Sequence, residues 1–180
     1  MIRPALLLLL VNFAYIAVLP RVFFRRDGRF CPMWWVTAAP FFACGTFLLV
    51  ASAAPGPALE LGAVPLSAAS IALISLTLGA NRVPLALWHQ ANDAPVGIVM
   101  HGPYSRVRHP FYAAFLLALA AALVHSPHPV TALCLGYGLA ILNATAAREE
   151  RRLLASPFGA QYRAYMQRTG RFLPQRRPHA

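Results

Sequence analysis

The chain has no lysine. All sixteen of its basic residues are arginine, so every cation is permanent. Acid is scarcer still, with five Asp and Glu in 180 residues, and two of them, Glu149 and Glu150, are adjacent. Only 12% of the residues are charged and 58% are apolar. Soluble domains average about 25% charged residues, so this balance excludes an ordinary soluble domain and indicates an integral membrane protein. A net charge of +11 would suit nucleic acid only if the basic residues shared a folded, solvated face. They fall instead at the ends of apolar segments, where they suit topology signals and anionic headgroups; the expected partners are membrane lipids and not nucleic acid. Cys31, Cys44 and Cys134 lack metal-ligand spacing, and the last two sit inside apolar runs, so they read as buried free thiols and no metal is expected. No lipidation box occupies Arg177 to Ala180. Neither an internal repeat nor a composition break divides the chain, which reads as a single membrane domain over residues 1–180.

What is present is a series of apolar runs. Pro4 to Leu19 follows Arg3 like a signal peptide, but no small-x-small cleavage site follows and Arg21 to Arg29 is strongly basic, so a retained span is expected. Met33 to Ala54 would make about 33 Å of helix, enough to cross a bilayer, with Trp34 and Trp35 at the interface. A loop at Pro55-Gly56-Pro57 leads to a third run, Leu61 to Leu87, near whose end Arg82 either snorkels to the interface or lines a cavity. These runs make residues 1–90 a three-span scaffold. Phe111 to His125 would give only about 22 Å of helix, short for a crossing. Ser126-Pro127-His128-Pro129 turns it into a fifth run, Val130 to Ala147, so the two form a helical hairpin. His125 and His128 at that turn read as loop polarity or, less simply, as metal ligands.

The arginines orient the chain. With the N-terminus outside, Arg21 to Arg29, the Arg106 and Arg108 segment and the tail from Arg148 all lie inside and hold fourteen of the sixteen. The tail extends the fifth helix through Arg152-Leu153-Leu154 and breaks at Pro157-Phe158-Gly159. Phe158, Tyr162, Tyr165 and Met166 then recur at helical spacing opposite Arg163 and Arg168, predicting an amphipathic cytoplasmic surface helix that Pro174 ends. The expected fold is an all-α integral membrane protein with about five transmembrane helices, a C-terminal helical hairpin and an amphipathic cytoplasmic tail helix.

The chemistry concentrates between the runs, from Met100 to Tyr112. Proline after His109 keeps that residue out of the α region and starts a helix at Pro110, whose free first-turn amides suit a carboxylate or phosphate. Tyr112 projects from nearly the same face as His109, and Tyr104 arrives from the preceding loop. An imidazole and two tyrosines there suit a flat base or a cation, or serve as interfacial aromatics beside a lipid-bound arginine. Glu149 and Glu150 either pair with Arg148, Arg151 and Arg152 on a solvated face or turn inward as counter-ions to a bound cation.

Gly102-x-Tyr104-x-x-x-Arg108-His109-Pro110-x-Tyr112, an apolar stretch, Glu149-Glu150, Phe158-Gly159, Tyr162, Tyr165 and Phe172-Leu173-Pro174 together resemble the C-terminal signature of the isoprenylcysteine carboxyl methyltransferase and phospholipid methyltransferase superfamily. The resemblance covers residues 96 to 174. It implies an integral membrane enzyme that uses S-adenosylmethionine. The cofactor would be surrounded by Val96, Gly97, Ile98, Val99, Gly102, Tyr104, Arg108, His109, Pro110, Phe111 and Tyr112, with Glu149 and Glu150 binding from the tail. Two departures are the valine at position 96, where the eukaryotic prenylcysteine enzymes have histidine, and Ala146, where they have an arginine thought to contact substrate. Arg82, Arg106 and Arg148 are then the candidate acceptor-binding cations, and no residue is assigned as catalytic. The implied function is methyl transfer to a lipophilic acceptor entering from the bilayer of a bacterial inner membrane. Carboxyl O-methylation is favoured by the arginine supply over N-methylation of a phospholipid amine, and the rival of another class is a non-enzymatic assembly or transport subunit.

Overall fold

The computed structural model describes residues 4–22, 32–51, 57–80 and 97–175. Six α-helices follow in order: α1 (Pro4–Val22), α2 (Pro32–Val50), α3 (Pro57–Ala80), α4 (Pro110–His125), α5 (Pro129–Leu154) and α6 (Gly159–Met166), with a 3₁₀ turn at Gly102–Ser105 before α4. No strand occurs among the described residues, only an isolated parallel bridge between Val107 and Gly170. The all-helical fold, the α4–α5 hairpin and the continuation of α5 through Leu154 match the sequence reading. α1 to α5 each open on proline, whose missing N–H is unneeded in a first turn.

Among the described residues, two helices are long and apolar enough to cross a membrane, over Ala58–Ala80 and Pro129–Leu154. The other apolar stretches are shorter, at Pro4–Val18, Val36–Val50 and Pro110–His125. α3 covers the third run as far as Ala80, and residues 81–87 of that run lie outside the described residues. The side chains of Arg21 to Arg29, Trp34 and Trp35, as well as Cys31, Arg82 and Val96, lie outside the described residues.

The short α4 is the centre of the bundle. Its first six residues, Pro110 to Phe115, are all buried, as are Ala118, Leu119, Ala121, Ala122 and His125. A helix apolar on every side needs neighbours on every side, and α1, α2, α3 and α5 supply them. The most extensive packing is against α3, where Ser70 Oγ donates to the Ala114 carbonyl at 2.7 Å. Small residues permit close approach, since a methyl at Gly138 of α5 would meet Leu119 Cδ1 at 2.6 Å. Edge-to-face contacts of Phe13 with Phe41 (5.5 Å) and Phe41 with Phe115 (5.8 Å) join α1, α2 and α4. Cys44 and Cys134 are buried free thiols, as the sequence suggested.

α6 is amphipathic, but it is shorter than predicted and faces the protein. It ends at Met166, eight residues before Pro174, and buries Tyr162 and Tyr165 while Arg163 and Arg168 stay exposed. Thr169 explains the early stop: its hydroxyl donates to the Tyr165 carbonyl at 2.8 Å, and the chain turns back in extended form toward α4.

Candidate functional site

The site forms where the chain before α4 meets the chain after α6. Proline at 110 holds His109 at φ −124°, ψ 68°, outside the helical region. The extended backbone before Pro110 then pairs with the tail: Arg108 N–H donates to the Gly170 carbonyl at 2.8 Å, and His109 N–H to the Arg171 carbonyl at 3.1 Å. Gly170 suits the tight turn there, because a side chain would collide with the Leu173 carbonyl.

This pairing aims three cations at the end of α5. Arg108 Nε donates to Glu150 Oε1 at 2.9 Å, and its Nη1 donates to the carbonyls of Met166 and Thr169. Arg171 donates from Nε to Glu150 Oε1 at 3.2 Å, from Nη2 to Glu150 Oε2 at 2.5 Å, and from Nη1 to Asn143 Oδ1 at 2.6 Å. His109 lies between the acids, with Nδ1 3.3 Å from Glu149 Oε2 and Nε2 3.3 Å from Glu150 Oε1. The second approach lacks hydrogen-bond alignment, which leaves His109 Nε2 buried without a hydrogen bond. Tyr112 donates to Glu149 Oε1 at 2.7 Å and stacks on His109 at 5.3 Å with the rings 1° from parallel. Phe172 also meets the imidazole, edge to face at 6.2 Å.

Burial sharpens these charges. The side chains of Arg108 and Glu150 are 9% and 4% exposed, against 23% for Glu149 and 31% for Arg171. A buried carboxylate survives only with partners, and Glu150 has both oxygens engaged. Burial by itself would discharge His109. Its contacts with Glu149 and Glu150 outweigh that and hold its pKa above the ordinary 6.5. Burial pushes the Tyr165 phenol up to about 12. It therefore stays a donor, binding the Tyr104 carbonyl at 2.5 Å and fixing α6 to the 3₁₀ turn.

Comparison with protein-family models, with curated proteins and with solved structures gave no match. The geometry therefore speaks for itself. Arg108, His109, Tyr112, Glu149 and Glu150, all read as site residues from sequence, converge in one cluster. Pro110 starts α4, and Phe111 is buried in the core beside it. Gly102 takes φ +61°, open to glycine, where a methyl would meet Ala80 Cβ at 2.9 Å. Gly97, Ile98 and Val99 lie in the irregular segment leading to that turn. Arg106 and Arg148 are exposed, whereas Arg82 and Val96 fall outside the described residues. The Glu pair turns inward rather than pairing on a solvated face.

Sequence reasoning missed Arg171, Asn143 and Thr169. In the sequence Arg171 is one of eight arginines from Arg148 onward. The signal that marks it is its place between Gly170, a turn residue, and the Phe172-Leu173-Pro174 end.

Proposed function

We propose that the chain is a five-span membrane protein that transfers a methyl group from S-adenosylmethionine to a lipophilic acceptor at the cytoplasmic face of a bacterial inner membrane. In this reading it is a relative of the isoprenylcysteine carboxyl and phospholipid methyltransferases, with its N-terminus outside and its C-terminus cytoplasmic. The observation that carries the reading is the meeting of Arg108-His109-Pro110 with Glu149-Glu150 across a hairpin, 2.9 Å apart in space and 42 residues apart in sequence. A purely interfacial arginine would have no reason to be buried against a carboxylate.

The residues fit the cofactor by their chemistry. His109 Nε2 is a buried polar atom without a hydrogen bond, and the parallel His109 and Tyr112 rings suit a flat base. Glu149, the more exposed acid, suits an ammonium or sulfonium, while the first-turn amides of α4 suit a carboxylate. S-adenosylmethionine, when bound, supplies an electrophilic methyl group. Arg108 and Arg171 pin Glu150 and so fix the end of α5, which positions Glu149 beside His109. Positioning of this kind is itself a large part of rate enhancement.

The state of His109 favours a carboxylate acceptor over an amine. An amine must shed a proton to attack, and the two acids flanking His109 favour its protonated form, in which it has no lone pair to accept that proton. A carboxylate needs no base. Lateral entry along α4 between α3 and α5 suits the packing, because those two helices share no contact comparable to the one each makes with α4. Leu117, Ala120 and Leu123 of α4 are only partly buried.

The test is equilibrium binding of labelled S-adenosylmethionine to detergent-purified protein beside Glu150→Ala and His109→Ala. Saturable binding weakened ten-fold or more by each change, about 1.4 kcal/mol, is the expected result. A folded wild type that does not bind overturns the reading. Acceptor class separates by pH: an amine acceptor loses rate as its nitrogen protonates, and a carboxylate acceptor keeps its rate down to about pH 5.

One observation favours the non-enzymatic alternative. Both Glu150 oxygens are already held by arginines, so the cluster also works as a staple between tail and hairpin. Under that reading Glu150→Ala lowers stability and no cofactor binds.

A further inference from the structure

We infer that Arg171 forms a second anion site, at the rim of the cluster, for the negatively charged headgroup of a bilayer amphiphile. The inference goes beyond methyl transfer and does not depend on it.

It starts from a count of donors. A guanidinium carries five N–H groups in a rigid plane. Arg171 uses Nε and Nη2 on Glu150, along one edge, and one Nη1 hydrogen on Asn143. One N–H on each terminal nitrogen is left over. Those two lie on the terminal nitrogens, a fork of donors that suits the oxygens of a carboxylate or phosphate.

Exposure then distinguishes Arg171 from the other cations. Arg108 turns its Nη1 to the carbonyls of Met166 and Thr169 and is only 9% exposed, so burial withholds its other donors from an incoming anion. Arg171 is 31% exposed and reaches outward to Asn143, itself exposed on α5. Asn143 lies two turns before Glu150, toward the apolar part of the helix. On the same side of α5 is Leu139, 48% exposed, and at Gly136 an added methyl would meet nothing within 4 Å. An anion on the fork would thus sit where α5 changes from charged to apolar, with room for a hydrocarbon chain beside the helix. The surroundings are cationic: Arg148, Arg151 and Arg152 are exposed on the next turns of α5. The inner carboxylate matters too. It holds the guanidinium plane still, so a second anion meets an oriented fork rather than a freely rotating side chain.

The probe is cis-parinaric acid, a fluorescent long-chain carboxylate, titrated against the full chain in nanodiscs of zwitterionic lipid, with its methyl ester as the uncharged control. Wild type is expected to bind the acid saturably and at least ten-fold tighter than the ester. Arg171→Gln should abolish that preference, Arg171→Lys should restore part of it, and Arg163→Gln on the exposed face of α6 should leave it intact. Because Arg171→Gln also loosens Glu150, Asn143→Asp is the second variant. It sits on an exposed face and sets a negative charge beside the fork, so acid affinity should drop at least five-fold with ester affinity unchanged. Displacement by palmitate or by hexadecyl phosphate supports the site and tells which headgroup it prefers. Equal affinity for acid and ester in wild type, or an acid preference that survives both Arg171→Gln and Asn143→Asp, overturns it. S-adenosylmethionine binding is measured on the same samples, so loss of that reading and loss of this one are seen separately.

Discussion

The chain starts two helices with the same dipeptide and uses it in opposite ways. His128-Pro129 opens α5, and His109-Pro110 opens α4. His128 caps its own helix: its Nδ1 accepts the Val130 N–H at 3.2 Å, Thr131 Oγ1 accepts the His128 N–H at 3.2 Å, and its ring stacks on Phe47 at 4.5 Å. His109 makes no side-chain cap at all. Its backbone is held by the tail instead, so the imidazole is released from local duty and turns to Glu149 and Glu150. A histidine at a helix start that declines to cap is therefore the more informative of the two, because its position has been stabilised by something distant.

The comparison breaks most severely at Glu150. Glu150→Ala leaves Arg108 buried without its partner and frees Arg171, so unfolding free energy in detergent should fall by about 3 kcal/mol. Denaturant titration monitored by circular dichroism checks it, and a loss no larger than that of an exposed arginine variant would contradict the burial argument. Next in size is His109→Ser. Serine is a good cap, so α4 should keep its helicity while S-adenosylmethionine binding weakens by ten-fold or more, about 1.4 kcal/mol. Retained binding would mean that position 109 only starts a helix. His128→Ala should cost about 1 kcal/mol of stability, the usual worth of a cap, and leave cofactor binding unchanged. Thermal melts and the binding assay read both halves of that statement.

The smallest effect is the pH dependence. The folded protein holds the His109 pKa above its ordinary 6.5, so the stability it contributes is fully present below about 6.5 and is lost as pH rises through the folded value. The melting temperature of wild type relative to His109→Gln should therefore decline as pH is raised across that window.

What the sequence disclosed was whatever local chemistry dictates. Proline at helix starts placed α4 and α5 to within a residue, and the apolar runs predicted the hairpin. The resemblance brought Glu149 and Glu150 to Arg108 and His109. The rest is non-local. Gly170 beside Arg171 marks a turn but not where it leads, to Asn143 and Glu150 on α5, because the preceding helix has a hydrophobic spacing that suggests continuation to Pro174. Thr169 and Gly170 override that spacing by ending α6 and reversing the chain. Length misled in the other direction at α4, where a run too short for an easy crossing turned out to be the most enclosed helix in the bundle.

The bridge between Val107 and Gly170 has a consequence for assembly. The first half of the cluster leaves the ribosome with Arg108, and Glu150 follows 42 residues later, after the whole hairpin. The second arginine comes later still, 21 residues after Glu150. Until Glu150 is made, Arg108 has no carboxylate to neutralise it, and until Arg171 is made, one oxygen of Glu150 lacks its arginine. Folding of the hairpin and closure of the ion pair are thus coupled in time, and the tail acts as the last fastener in an ordered sequence. A chain halted between α6 and Gly170 would carry all six helices and still lack the arginine that closes its site.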